Sequence, residues 1–325
     1  MNKKGIAGRV LAGMLGCVAA AGAWAGAYPD KPVTLLVPFG AGGITDLVAR
    51  ATADQLSKEL GQPVIVENKP GAGGSIAAAV LKAAPADGYT LMLTTLGLVS
   101  VNPHTYKQVP FDSFKDFAYI STVASTPHAV VVNPSVPVAD LKDLIAQAKQ
   151  KPDGLSFATA GYGSSPHQGL EILQAATGTQ FLHVPFKSGA EAVTNVVGGQ
   201  VSMTFEALPV VMPHVKAGNL KAFAIAAPER HSSAPDLPTT AELGFDGIQS
   251  ASVSGLIAPA GVPAEVVERL TQATHKALAN PQLKQKLVAQ GTDTAGSTPQ
   301  EFLELVRSEY KQWGTVLSAS STATR

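Results

Sequence analysis

From residue 33 onward, short β-branched runs alternate with amphipathic helical stretches, and this alternation restricts the chain to parallel sheets covered by helices. Val33-Thr34-Leu35-Leu36-Val37 reads as a buried strand, and residues 45 to 60 place Ala49, Ala53, Leu56 and Leu60 on one helical face before Gly61 stops the helix. Further strand and helix expectations follow in the same order: 63 to 66 then 75 to 84, 90 to 94, 155 to 158 then 166 to 177, 181 to 184 then 189 to 198, and 201 to 205 then 208 to 217. The C-terminal third reads as a strand over 253 to 258, helices over 263 to 279 and 281 to 290, and a last helix from Pro299. There Thr298 is the expected N-cap and Glu301 completes a capping box.

One pattern occurs twice, a strand, a glycine-rich turn and a helix, at residues 33 to 60 and 155 to 177. The first amides of a helix have no internal acceptor, and the aligned peptide dipoles leave about half a positive charge there. Glycine in the approach lets an anion come close to the backbone. The first turn is Pro38-Phe39-Gly40-Ala41-Gly42-Gly43, which as a bare glycine cluster is equally a flexible turn. A dinucleotide fingerprint is not met, since the G-x-G-x-x-G/A count from Gly40 ends on Thr45 and that from Gly71 on Ile76. No G-x-x-x-x-G-K-[ST] occurs either.

The loop Asn68-Lys69-Pro70-Gly71-Ala72-Gly73-Gly74-Ser75 is read as structural, with Ser75 capping its helix. In Gly161-Tyr162-Gly163-Ser164-Ser165-Pro166-His167-Gln168, Ser165 is the expected N-cap, Pro166 the first helical residue and Gln168 the end of a capping box. Ser164, the free amides and His167 are then left to face a cleft. A serine hydrolase would need a G-x-S-x-G elbow, which is missing. Asp46 in the first helical turn suits the dipole but opposes a bound anion unless it points aside or accepts from a ligand hydroxyl or ammonium. Glu206, ending the strand over 201 to 205, stands where α/β sheets bind ligands, or else pairs with Lys187 at the surface.

The N-terminus sets the expected compartment. Lys3, Lys4 and Arg9 precede a small, apolar stretch over 10 to 23, the anatomy of a secretory signal peptide spanning residues 1 to 27. Ala23-Trp24-Ala25 and Ala25-Gly26-Ala27 both satisfy the cleavage rule, so the mature chain starts at Gly26 or Tyr28. Cys17, the only cysteine, loosely imitates a lipoprotein box, but the apolar run continues past it. Removing the three signal cations leaves 21 basic against 24 acidic residues, a net charge of −3 and no basis for nucleic-acid binding. The seven histidines show no metal-ligand spacing. About 300 mature residues exceed what one core usually serves, so two lobes are expected. Residues 318 to 325 read as a frayed tail.

With these residues in place, the chain resembles the Bug-type periplasmic receptors, the substrate-binding proteins of tripartite tricarboxylate transporters. The likeness runs from about Tyr28 to Trp313, through Tyr28-Pro29-Asp30-Lys31-Pro32, Val37 to Gly43 with Asp46, Val66 to Gly74, Asp87-Gly88-Tyr89-Thr90-Leu91, Val131 to Ser135, Gly161 to His167, His183-Val184-Pro185-Phe186-Lys187, Gly198-Gly199-Gln200-Val201 and Ala258-Pro259-Ala260-Gly261. The resemblance favours a start at Tyr28. It implies a periplasmic-binding-protein type II fold of two α/β lobes, 28 to 126 with 253 to 325 and 127 to 252, and a monomer without enzymatic activity or cofactor. It implies a small carboxylate held by Phe39, Gly40, Ala41, Gly42, Gly43, Thr45 and Asp46 in one lobe, by Gly161, Gly163, Ser164, Ser165, His167 and Glu206 in the other, and by Thr95 on the cleft floor. The implied partners are the membrane permease subunits; a sensor kinase is the alternative, an exported hydrolase the more distant one. Glu206 departs from the Asp often found there, and Val253-Ser254 from a common aromatic residue, which leaves the ligand's identity open.

Overall fold

The computed structural model describes residues 28 to 318; the expected signal peptide, both cleavage sites, Cys17 and all of the expected tail except Ser318 lie outside them. The elements in order are β1 (Val33–Val37), α1 (Ile44–Leu60), β2 (Val64–Asn68), α2 (Ser75–Ala83), β3 (Thr90–Thr95), α3 (Leu96–Ser100), α4 (Asn102–Thr105), β4 (Phe117–Val132), α5 (Leu141–Gln150), β5 (Ser156–Thr159) and α6 (Ser165–Thr177). They continue with β6 (Leu182–Pro185), α7 (Gly189–Val197), β7 (Met203–Ala207), α8 (Leu208–Lys216), β8 (Lys221–Ile225), β9 (Ala251–Pro259), α9 (Ala264–Ala279), α10 (Pro281–Gln290), β10 (Asp293–Thr294) and α11 (Pro299–Ser318).

The strands form one curled sheet in the order β2-β1-β3-β9-β4-β7-β5-β6, with β8 and β10 also paired to β4. The sheet is mixed, not the purely parallel one that alternation alone suggests. β1 runs parallel to β2 and β3, and β5 parallel to β6 and β7, but β9 is antiparallel to β3 and β4, and β4 to β7 and β8. The parallel halves are the segments where helices return the chain; the antiparallel strands β4 and β9 carry it from one half to the other.

In β1, Val33, Leu35 and Val37 pack into one apolar cluster while Leu36 packs into another, so the strand is buried on both faces, as its unbroken apolar sequence requires. In β4, Ala129 and Val131 alternate in the same way with Val130 and Val132. Sixteen residues long, β4 has no counterpart among the sequence expectations, because Pro127 argues against a central strand. Pro127 pairs with Ala251 at the end of the β9 ladder, and from His128 onward β4 takes β7 as its partner. The proline thus sits where the strand changes neighbours.

Three capping expectations meet the structure differently. The Thr298–Glu301 box forms, with the Thr298 amide donating to the Glu301 carboxylate at 2.8 Å and the Glu301 amide to the Thr298 hydroxyl at 3.2 Å. Ser75 does not cap α2; the N-cap is Gly74, held at φ 94°, and the Ser75 hydroxyl has no hydrogen-bond partner. Ser165 is likewise inside α6, whose N-cap is Ser164, and the Gln168 side chain donates to the Gly163 carbonyl at 3.3 Å instead of closing a box. In both cases a glycine turn immediately upstream fixes the entry of the chain, and the helix starts one residue earlier than the side-chain signal indicates.

Candidate functional site

The turn after β1 delivers the chain to α1 without a side-chain cap: Gly43 is the N-cap and only its carbonyl is used, by the Leu47 amide at 3.0 Å. The first amides of α1 therefore have no acceptor within the helix. Gly42 adopts φ 81°, a left-handed conformation that other residues rarely take, and its amide donates to the Asp46 carboxylate at 3.0 Å. The turn after β5 repeats this arrangement at α6, where the Ser164 side chain, free of capping duty, donates to the Gly161 carbonyl at 2.6 Å.

Both helix starts open on one cavity, and a third joins them. Phe39, Gly43, Ile44 and Thr45 from the first turn, Ala160, Ser164, Ser165 and Pro166 from the second, Gly189 at the start of α7, Thr95 at the end of β3, Glu206 at the end of β7 and Ser252 of β9 enclose it. Its free volume is about 20 Å³, room for a water but not for a ligand with a carbon chain, so the walls must part to admit one. Outside the cavity lining, two bonds join the segments that form its walls: the Gly40 amide donates to the Lys187 carbonyl at 3.2 Å and the Tyr106 hydroxyl to the Tyr162 carbonyl at 3.2 Å. A larger groove of about 720 Å³, bordered by Arg230, Gln249 and Trp313, shares only Ser165 with the expected site residues.

Of those expected residues, Phe39, Gly43, Thr45, Thr95, Ser164, Ser165 and Glu206 border the cavity, whereas Gly40, Ala41, Gly42, Asp46, Gly161, Gly163 and His167 do not. Asp46 points aside. Its carboxylate accepts from the Gly42 amide, from Asn68 at 2.9 Å and from Arg50 Nε at 3.0 Å, and it is ion-paired with the same guanidinium. Burial alone would raise this carboxyl, but the bonds from Arg50, Gly42 and Asn68 outweigh it and hold Asp46 below the ordinary carboxylate range.

His167 is buried among Tyr162 and His183, with ring centroids at 5.3 and 4.8 Å. Burial first, and His183 second, lower it to about 3, so it is neutral, and Nδ1 accepts from the Gly163 amide at 3.3 Å. Its Nε2 is 3.7 Å from Glu171, too long for a hydrogen bond, and a neutral ring makes no ion pair. Ser164 and His167 thus both serve the glycine turn, and no serine–histidine nucleophile pair is built from them.

Thr95 accepts from the Leu98 amide as the N-cap of α3, and Ser252 shares its hydroxyl with His128. Glu206 does not reach Lys187 at the surface; it is 1 % exposed, and one carboxylate oxygen accepts from the Ala207 amide at 2.9 Å.

The cavity is also bordered by Ile44, Ala160, Pro166, Gly189 and Ser252, which are not among the expected site residues. Four of them carry no distinctive chemistry, but Gly189 had a signal: it opens the helix after the expected strand at 181 to 184, a strand–turn–helix junction without a glycine-rich approach.

Comparison with known proteins gives a consistent picture. Residues 48–321 match the Tripartite tricarboxylate transporter family receptor. The chain is similar to the periplasmic binding protein BugD, with 31 % identity, a TM-score of 0.87 and coverage of 92 % of this chain and 100 % of that one. It is similar to the R. palustris protein Rpa4515, whose structure contains adipate, with 33 % identity, a TM-score of 0.88 and coverage of 92 % and 100 %. It is similar as well to MatC from Rhodopseudomonas palustris, determined with bound malate, with 31 % identity, a TM-score of 0.84 and coverage of 89 % and 100 %.

Proposed function

Because the chain belongs to the tripartite tricarboxylate transporter receptor family, a family of two-lobed solute-binding receptors and not of enzymes, we propose that it captures a small di- or tricarboxylate outside the cytoplasm and presents it to the permease subunits of such a transporter. The observation that carries this reading is the convergence of the α1, α6 and α7 N-termini on a single cavity between facing walls. Helix starts supply fixed amide donors and a positive potential, the complement of a carboxylate. The adipate and malate of the similar structures support a carboxylate as the chemical class.

In this reading the lobes divide at residues 126 to 128 and 252 to 254, with residues 28 to 126 and 253 onward on one side. The amides at Gly43 to Thr45 take one end of the ligand, Ser164, Ser165 and Gly189 surround the other, and Thr95 and Glu206 border it between them. A signal peptide ending before Tyr28 would deliver the receptor to the periplasm.

Titration calorimetry of the mature chain with malate, adipate and citrate against their methyl esters tests the reading. The acid is expected to bind at least ~1.4 kcal/mol, about tenfold, more tightly than the ester. Equal affinities would exclude recognition by helix N-termini.

A further inference from the structure

Among the described residues, Glu206 is the only acidic one bordering the cavity. Its Oε1 accepts from the Ala207 amide, while Oε2 is buried without a hydrogen-bond partner and lies against the α carbon of Gly189, where even a methyl group would collide with it. Four titratable groups on the surrounding elements have partners of their own. On β4, His128 is held between the Ser250 and Ser252 hydroxyls at 2.8 Å each. Asp46 of α1 is paired with Arg50, His167 of α6 accepts from Gly163, and Glu191 of α7 accepts from the Lys187 amide at 3.1 Å. Among the described residues no cation pairs with Glu206. Burial, opposed only by the Ala207 amide, raises its carboxyl to about 7.

An organic anion entering this cavity would meet a second carboxylate with no cation between them. Two carboxyl groups in contact without a counter-ion cannot both remain ionised. We propose that Glu206 enters the ligand complex as a neutral acid whose Oε2–H donates to the ligand's carboxylate, so that the receptor takes up one proton with each anion it encloses. The proton comes from solvent and returns to it on release; no other bond changes. The proposal rests on the carboxylate-receptor reading and adds which form of the anion complex is bound. An ionised Glu206 holding a ligand ammonium is disfavoured, because that cation would face three helix N-termini.

Calorimetry of the mature chain with malate and adipate, in buffer pairs of different ionisation enthalpy, reads the proton directly. Uptake should approach one proton per ligand near pH 8.5, and affinity should fall by up to about tenfold per pH unit above neutrality, while both ligands stay fully ionised. Glu206→Gln keeps a donor at the same place, so it should bind within a few fold of wild type near pH 6, without uptake and with no pH dependence. Binding without uptake in the wild type overturns the proposal and leaves the receptor reading standing. So does a folded Glu206→Gln variant that cannot bind. If malate, adipate and citrate all fail to bind the wild type, the receptor reading falls and the proposal with it.

Discussion

A carboxylate in the first turn of a helix that faces an anion would repel it, unless other donors have already taken its charge. Asp46 is in that position, and three hydrogen bonds, from Gly42, Asn68 and Arg50, with an ion pair to the same arginine, turn it into a brace for the glycine turn. The pattern of residues 38 to 46 made the turn legible from the sequence, but the role of Asp46 depends on Asn68, which arrives from the next strand, and no local spacing reveals it. Asp46→Ala is expected to lower the unfolding free energy by about 1 to 3 kcal/mol, measured by urea denaturation, and to weaken carboxylate binding as the turn loosens. Arg50→Ala should be milder, since half of that side chain is in water. A ligand-contacting Asp46 would give the opposite split, a large loss of affinity with folding intact. His167 was legible as a turn neighbour and not as a buried, neutral acceptor, because burial is a property of the packed molecule.

At the scale of elements, the helix starts follow rules that the sequence displays, and α1, α6 and the Thr298–Glu301 start of α11 lie close to where periodicity and capping put them. Strand β4 does not, because its two halves pair with different strands and Pro127 marks the change. Beside that change, His128 is fully buried with a hydroxyl at each ring nitrogen, one accepting and one donating to the neutral ring. Burial lowers it to about 3 from the ordinary value of 6.5. The unfolded chain therefore binds more protons than the folded one between these values, and the stability His128 contributes is complete above pH 6.5 and lost as pH falls toward 3, at up to about 1.4 kcal/mol per unit. His167 acts in the same direction. Urea midpoints taken at pH 7 and near pH 4.5 should fall steeply for the wild type and by roughly half as much for His128→Gln. Equal falls would mean that His128 is hydrated in the folded state.

At the scale of the whole molecule, the walls around the cavity of about 20 Å³ lie close together, and the Gly40–Lys187 and Tyr106–Tyr162 bonds join the same segments nearby. In the proposed function each such contact at a solvated interface contributes little, and the donors a ligand recruits from both walls shift the balance toward closure. Small-angle scattering should show a larger radius of gyration without ligand than with saturating malate or adipate, and an unchanged radius would count against closure. In the proposed closure the lobes are joined by β4 and β9, which run side by side from Phe117–Pro259 to Pro127–Ala251 with two register shifts along the way. A hydrogen-bonded ribbon flexes across its flat face and resists bending within its plane or stretching along its length. Its two ends are thereby left with close to a single degree of freedom, like the jaws of a caliper. Such jaws cannot sidestep to accommodate an ill-fitting guest: a molecule that is too long props them open, and one too short leaves the far jaw without a grip. The receptor would then gauge the span between a ligand's two acidic ends before it reads anything else about it.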